Sequence, residues 1–334
     1  MKKIYLILSI TIFYTNVEAQ INVYSHRHYD SDKILFKKFT DETGIKINVI
    51  KGSADQLIER LISEGEKSPA DILLTVDAGR LHRAKMAGIL QSVESQKLND
   101  SVPSSMRDPD GHWFGLTVRA RVLVYSKDRV EPSQLSTYED LASTKWKGKI
   151  AVRSSSNIYN QSLMASIIAA NGTTQALSWA KSVRKNMARA PRGSDRDQAR
   201  AVAAGLADVA IMNTYYLGIL ANSSNPKDRD VFKKVSVFFP NQTGRGTHIN
   251  ISGGGVTKSS KNKKNAIKFL EFLTSSESQK IFGNVNYEYP IKIETNKSEL
   301  LKSWGSFKAD KVNLSILGIK NSEAVKLFDK AGWE

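Results

Sequence analysis

The chain has 334 residues, of which 40% are hydrophobic and 25% charged, carries a formal net charge of +16 and contains no cysteine. Length and apolar content suffice for one large globular domain or two moderate ones, while the missing cysteines exclude a disulfide framework, a cysteine-linked lipid and any thiolate metal centre. The positive charge raises the question of nucleic acid, but the lysines are scattered, and the densest run, Lys258-Ser259-Ser260-Lys261-Asn262-Lys263-Lys264, reads as the solvated entry of a helix.

Met1-Lys2-Lys3, the apolar run Ile4 to Tyr14 and Val17-Glu18-Ala19 form the three regions of a secretory signal peptide, residues 1–19. The run is too short for a membrane span, and nothing later approaches about 20 continuous apolar residues. The mature chain is therefore expected in the periplasm, as a monomer without membrane insertion and away from nucleic acid.

Ile21-Asn22-Val23-Tyr24 reads as a strand, followed by the polar turn Ser25-His26-Arg27-His28-Tyr29 and a helix with Ile34, Leu35 and Phe39 on one side, closed by Gly44. Ile45 to Val49 alternates at period two, and Ser53 with Gln56 makes a capping box for a helix that buries Leu57, Ile58, Leu61 and Ile62. Ala70 to Val76 is a third, largely apolar strand, and Arg80 to Ala87 a helix ended by Gly88. Such alternation predicts an α/β architecture with mostly parallel sheets. Trp113 to Tyr125 is long enough to cross into a second lobe, whose own series runs from the strand Lys149 to Arg153 through several helices to the strand Asp208 to Met212. A second crossing passes through Val235 to Pro240 and Gly244-Arg245-Gly246 to Ile249 to Val256. The expected lobes are discontinuous, 20–117 with 244–290 and 118–243 with 291–334, joined by a hinge suited to closing on a ligand.

Ligands of open α/β sheets bind beyond the carboxyl ends of the strands. Three strand-to-helix turns carry donors there: His28 and Tyr29 after the first strand, Tyr159 after Ser154-Ser155-Ser156-Asn157, and the adjacent pair Tyr215-Tyr216. Aromatic residues beside strands ordinarily pack, but one imidazole and four phenols concentrated in such turns point to a hard, highly charged cation, because phenolate oxygen suits Fe3+. A trivalent ion at bonding distance deprotonates phenols near neutral pH. Four phenolates against Fe3+ leave a single excess negative charge, which Arg119, or in reserve Arg121, would offset from behind the ligands. His26 is the alternative to His28, and His248 a more distant one. Tyr24 reads as a strand residue, Tyr125 and Tyr138 as packing residues, and His82 and His112 as residues of surface helices or turns. No His-Glu-x-x-His run, nucleophile elbow or phosphate loop occurs, and Gly253-Gly254-Gly255 lies in a strand-like segment, so binding is favoured over catalysis.

The chain resembles the periplasmic iron-binding proteins of ABC importers, particularly the FutA type of the ferric-binding group, through nearly all of its mature length. The resemblance is carried by Tyr24-Ser25-x-Arg27-His28-Tyr29, Ser68-Pro69-Ala70-Asp71 through Asp77, Trp113-Phe114-Gly115, Ser136 to Ala142 with Lys145 to Lys149, Arg153 to Ser162, Asn213-Thr214-Tyr215-Tyr216 and Phe238 to His248. It implies a type II periplasmic-binding-protein fold, two α/β lobes joined by crossover hinge strands, that closes over iron and passes it to an inner-membrane permease with its ATPase. Its ligands fall on His28, Tyr29, Tyr159, Tyr215 and Tyr216, with Arg119 as the supporting arginine. Ile219 stands where many relatives carry a basic residue, and His26 where many carry serine. Both departures bear on the preference between Fe2+ and Fe3+, with Fe3+ favoured by the phenolates. The competing readings are a binding protein whose tyrosines cage a small organic solute and an exported metalloenzyme with tyrosinate-bound iron.

Overall fold

Among the described residues the apolar runs fold into nine strands: β1 (Gln20–Ser25), β2 (Lys46–Lys51), β3 (Ile72–Val76), β4 (Phe114–Ser126), β5 (Ile150–Ala151), β6 (Val209–Asn213), β7 (Val235–Phe238), β8 (Ile249–Val256) and β9 (Tyr289–Pro290). The computed structural model describes residues 19–27, 29–295 and 297–333, so that His28 and, apart from Ala19, the expected signal peptide lie outside the described residues. Among the described residues no helix is long and apolar enough to cross a membrane.

The strands are ordered β2-β1-β3-β8-β4-β6-β5, with β7 and β9 also paired to β4. The expectation of mostly parallel sheets needs correction. Among the described strands, parallel pairing is confined to β1 with β2, β1 with β3, and β5 with β6, the places where a helix returns the chain to the same edge. β8 lies antiparallel to both β3 and β4 because it arrives from the other lobe instead of through a helical return. β4 is the shared element: Phe114 to Ala120 pair with β8, whereas Arg121 to Tyr125 pair with β6. All 13 of its residues are buried, as a strand covered on both faces requires. The two lobes therefore divide along one continuous strand.

Local chemistry fixes the elements around this frame. Gly44 ends the helix Asp30–Thr43 in the left-handed conformation, φ 69°, and Ser53 and Gln56 form the expected reciprocal cap on Ala54–Glu64. Two apolar residues were expected inside and are not: Ile34 is 46% exposed and Ile62 45%. The buried stripes run through Ser31, Leu35 and Phe39 and through Leu57, Ile58 and Leu61, and one further residue turns each isoleucine about 100° away from its stripe. The strand expected over 149–153 is regular only at Ile150–Ala151.

Gly253-Gly254-Gly255 sits in the middle of β8, opposite Thr75, Leu74 and Leu73 of β3. A Cβ on Gly255 would stand 2.3 Å from the carbonyl oxygen of His112, and one on Gly253 2.6 Å from that of Phe114. The run thus permits close backbone approach at the centre of the first lobe. Gly255→Ala is expected to destabilise the protein by about 1–3 kcal/mol through overpacking, measured as a lower urea midpoint at unchanged m-value.

The C-terminal segment packs on both lobes, its helix Ser315–Ile319 lying against both Ala78–Met86 and Ile158–Asn171. Thr247 and Asp310 exchange backbone bonds with Lys308 and Thr247, Leu314 N–H donates to Ser105 O at 2.9 Å, and Gly318 lies against the side chain of His82.

Candidate metal centre

Each candidate tyrosine is set by its own local cap. Tyr29 directly precedes the helix Asp30–Thr43, with its N–H held by Asp32 Oδ2 at 3.3 Å. Tyr159 is the second residue of the helix Ile158–Asn171, whose cap, Asn157, accepts its N–H at 3.0 Å. Tyr215 and Tyr216 open the short helix Tyr215–Ala221, and Thr214 ties that turn to β4 by bonding both the N–H and the carbonyl of Ala120.

The lobes bring the four rings together. Tyr29, from the first lobe, meets Tyr215 edge-on at 6.3 Å between ring centroids. Tyr215 and Tyr216 lie 4.2 Å apart at 33°, and the hydroxyl of Tyr159 is 3.4 Å from that of Tyr215. A cavity of about 490 Å³ opens on this cluster, lined by Tyr29, Tyr159 and Tyr216 together with His26, Asn157, Ile158, Ile219 and three arginines, Arg80, Arg153 and Arg196. Among its described lining residues there is no carboxylate.

The electrostatics oppose ionisation of the phenols. Burial first, and then the neighbouring phenols, push Tyr29 and Tyr215 above the usual phenol range, Glu288 adding to the rise at Tyr29. Tyr216 is raised by burial, Tyr159 and Asp195. All three are neutral at pH 7 until a cation replaces their protons. Facing them is Arg119, whose guanidinium lies 5.0 Å from the ring centroid of Tyr159. Burial works against its charge, but its anionic neighbours Asp77 and Glu288 help to hold it above the ordinary guanidinium range. Its Nη2 donates to Asp77 at 3.4 Å, while among the described residues Nε and Nη1 have no hydrogen-bond partner. Such donors await anionic charge.

Arg121, the reserve candidate, is engaged otherwise. It donates to Asp195, Asn213 and Asn160, and Asp195 also accepts the N–H of Asn213 and a contact from Arg153. It braces the turns that carry Tyr159 and Tyr215. Arg27 plays the corresponding part in the first lobe: it stacks 4.9 Å from the centroid of Tyr29 and pairs with Asp32 and Glu288, each at 3.0 Å.

The histidines separate clearly. His26 lines the cavity, and because its Nδ1 lies 3.3 Å from the carbonyl of Gly52, which only accepts, Nε2 carries the lone pair of the neutral ring. His28 lies outside the described residues. His248 is buried away from the cavity lining, His82 packs on Gly318, and His112 bonds Asp108 at 2.9 Å. Asp108, Asp110 and His112 do approach one another within 4.8 Å, but the ammonium of Lys85 bonds both carboxylates, at 2.8 and 2.6 Å, making that cluster a salt bridge. Tyr24 bonds Glu64 from within β1, and Tyr138 donates to the carbonyl of Arg121, so neither reaches the cavity.

Comparison with known proteins agrees with this architecture. The family model for bacterial extracellular solute-binding proteins matches residues 67–309. The chain belongs to that family. Iron uptake protein A1 of Synechocystis is 50% identical over 317 residues, 95% of this chain and 88% of the relative. The structure of Trichodesmium FutA in complex with iron and citrate superimposes with a TM-score of 0.92 at 55% identity, covering 95% of this chain and 100% of that one. The ferric binding protein of Campylobacter jejuni gives a TM-score of 0.89 at 47% identity, covering 94% and 100%. As a solute-binding component of the ABC-importer type, a member of this family works with a permease.

Asp77, Asp195, Arg27 and Arg153 were not recognised as parts of the site from the sequence. Arg27, Asp77 and Arg153 stand within motifs that carried the resemblance, yet Glu288, Ser162 and Asp195, which they meet, lie far along the chain.

Proposed function

We propose that this protein captures ferric iron between its lobes and delivers it to an inner-membrane ABC permease powered by its ATPase, with Tyr29, Tyr159, Tyr215 and Tyr216 as phenolate ligands, His28 as the imidazole donor and Arg119 offsetting the excess charge. The lobes 20–117 with 244–290 and 118–243 with 291–334 act as the two jaws, residues 1–19 direct export and are removed, and the protein works as a monomer without catalytic turnover. The observation that carries this reading is the convergence of four phenols from three separate strand-to-helix turns on one cavity without a carboxylate in its described lining. Fe3+ suits such a set better than Fe2+, since hard anionic oxygen rewards the higher charge.

The arginine side of the cavity has room for an anion. Arg80, Arg153 and Arg196 present three positive charges beside the phenols, and the Trichodesmium relative was seen with iron and citrate. A carboxylate anion is accordingly proposed to sit beside the metal, held by the arginine forks. Titration with Fe3+ should produce an intense visible phenolate-to-iron band and quench tyrosine fluorescence at one equivalent. Citrate should tighten retention, and Arg196→Ala, at an exposed position, should remove most of that increment, about fivefold to tenfold. A colourless ferric titration would defeat the reading; an unchanged citrate effect in the variant would remove Arg196 from it.

A further inference from the structure

At the end of β3 the chain turns through Asp77, a wholly buried residue with φ of 83°. Positive φ is uncommon outside glycine, though aspartate and asparagine tolerate it better than most. Here it aims one carboxylate at four donors. Oδ1 accepts the N–H of Gly79 at 3.0 Å and the hydroxyl of Ser162 at 2.7 Å; Oδ2 accepts Asn250 Nδ2 at 2.9 Å and Arg119 Nη2 at 3.4 Å. Gly79 belongs to the first lobe, and Asn250 and Arg119 to β8 and the first half of β4, the strands that join the lobes. Of the four donors only Ser162 lies in the body of the second lobe, off the joining strands. It stands three residues after Tyr159 on the helix Ile158–Asn171, one turn along the same face.

We propose that Asp77 and Ser162 form the closure catch of the iron site, a buried interlobe hydrogen bond that engages only when the jaws shut and that seats Arg119 over the ring of Tyr159. Opening the lobes leaves Asp77 with its three other donors and withdraws Ser162, so the bond adds to the closed state and not to the fold of either lobe. Its acceptor is charged and wholly buried, which makes it stronger than an ordinary neutral bond. Because the same carboxylate holds Arg119, closure and the placement of the offsetting cation are coupled. Asp77 and Ser162 are positioning residues, touching no iron themselves, and the inference rests on the iron-binding reading.

The test loads the protein and its Ser162→Ala and Asp77→Asn variants with Fe3+ and follows loss of the visible band to excess EDTA, alongside melting of the iron-free and iron-loaded forms. Asparagine keeps the positive φ accessible, so the second variant removes charge with little backbone change. Both variants should acquire the band and lose iron about tenfold faster, as expected for one charge-assisted bond, with iron-free melting unchanged for Ser162→Ala. Release at the unaltered rate would overturn the catch. So would an iron-free melting temperature that falls as far as the loaded one, since that marks a static packing contact. Absence of the band in the unaltered protein would overturn the iron reading and the catch with it.

Discussion

Replacing Tyr215 with phenylalanine should weaken ferric iron binding by about a hundredfold or more, roughly 2.7 kcal/mol, because a lost ligand costs at least as much as the tenfold to hundredfold seen for supporting residues. Tyr215 is 1% exposed, its ring contacts those of Tyr29 and Tyr216, and its hydroxyl lies 3.4 Å from that of Tyr159. Phenylalanine keeps the ring and its packing and removes only the oxygen, so iron-free stability should change little. The visible band should lose intensity and shift. Chelator competition gives the affinity and absorbance the ligand count. If both remain as in the unaltered protein, Tyr215 is a packing residue and the metal lies elsewhere.

Acidification should release the iron, steeply. Burial and mutual proximity hold Tyr29, Tyr215 and Tyr216 above the usual phenol range, so all three carry protons in the iron-free protein through the neutral region. Each must lose its proton to bind. Affinity therefore rises with pH, about tenfold per unit for every phenol ionised, and with four phenolate ligands, these three among them, the slope is at least about three. Direct measurement of proton release at a fixed pH, compared with the slope of chelator-competition constants between about pH 6 and pH 8, checks this from two sides. Release of no protons from the phenols would show that oxygen ligation by tyrosinate is wrong.

The convergence of the tyrosines was more legible in the sequence than the direction of the strands. Tyr29, Tyr159, Tyr215 and Tyr216 could be found because each follows a readable apolar strand, and the ends of such strands point to a common cleft. Arg119 could be picked out because it lies on a long alternating run, and the structure places it nearer the Tyr159 ring than Arg121, 5.0 against 5.8 Å. Sheet direction was misread because periodicity within a strand carries no information about its partner: β8 looks like any buried strand, and only its arrival from the other lobe makes it antiparallel. The buried polar nodes were hidden for a related reason. Arg27 meets Glu288 across 261 residues and Asp77 meets Ser162 across 85, and no local pattern announces such pairs. Ile34 and Ile62 were misplaced by treating every isoleucine near an apolar stripe as part of it.

The neutral phenols also bear on which metals are turned away. Magnesium and calcium are held by carboxylates, carbonyls and water, and the described walls of this cavity offer three arginines and no carboxylate. In its protonated form the site repels cations in general. On the proposed ligand set, entry is reserved for an ion acidic enough to drive protons off four clustered hydroxyls, so discrimination is exercised through the acid strength of the visitor and not through the diameter of the hole.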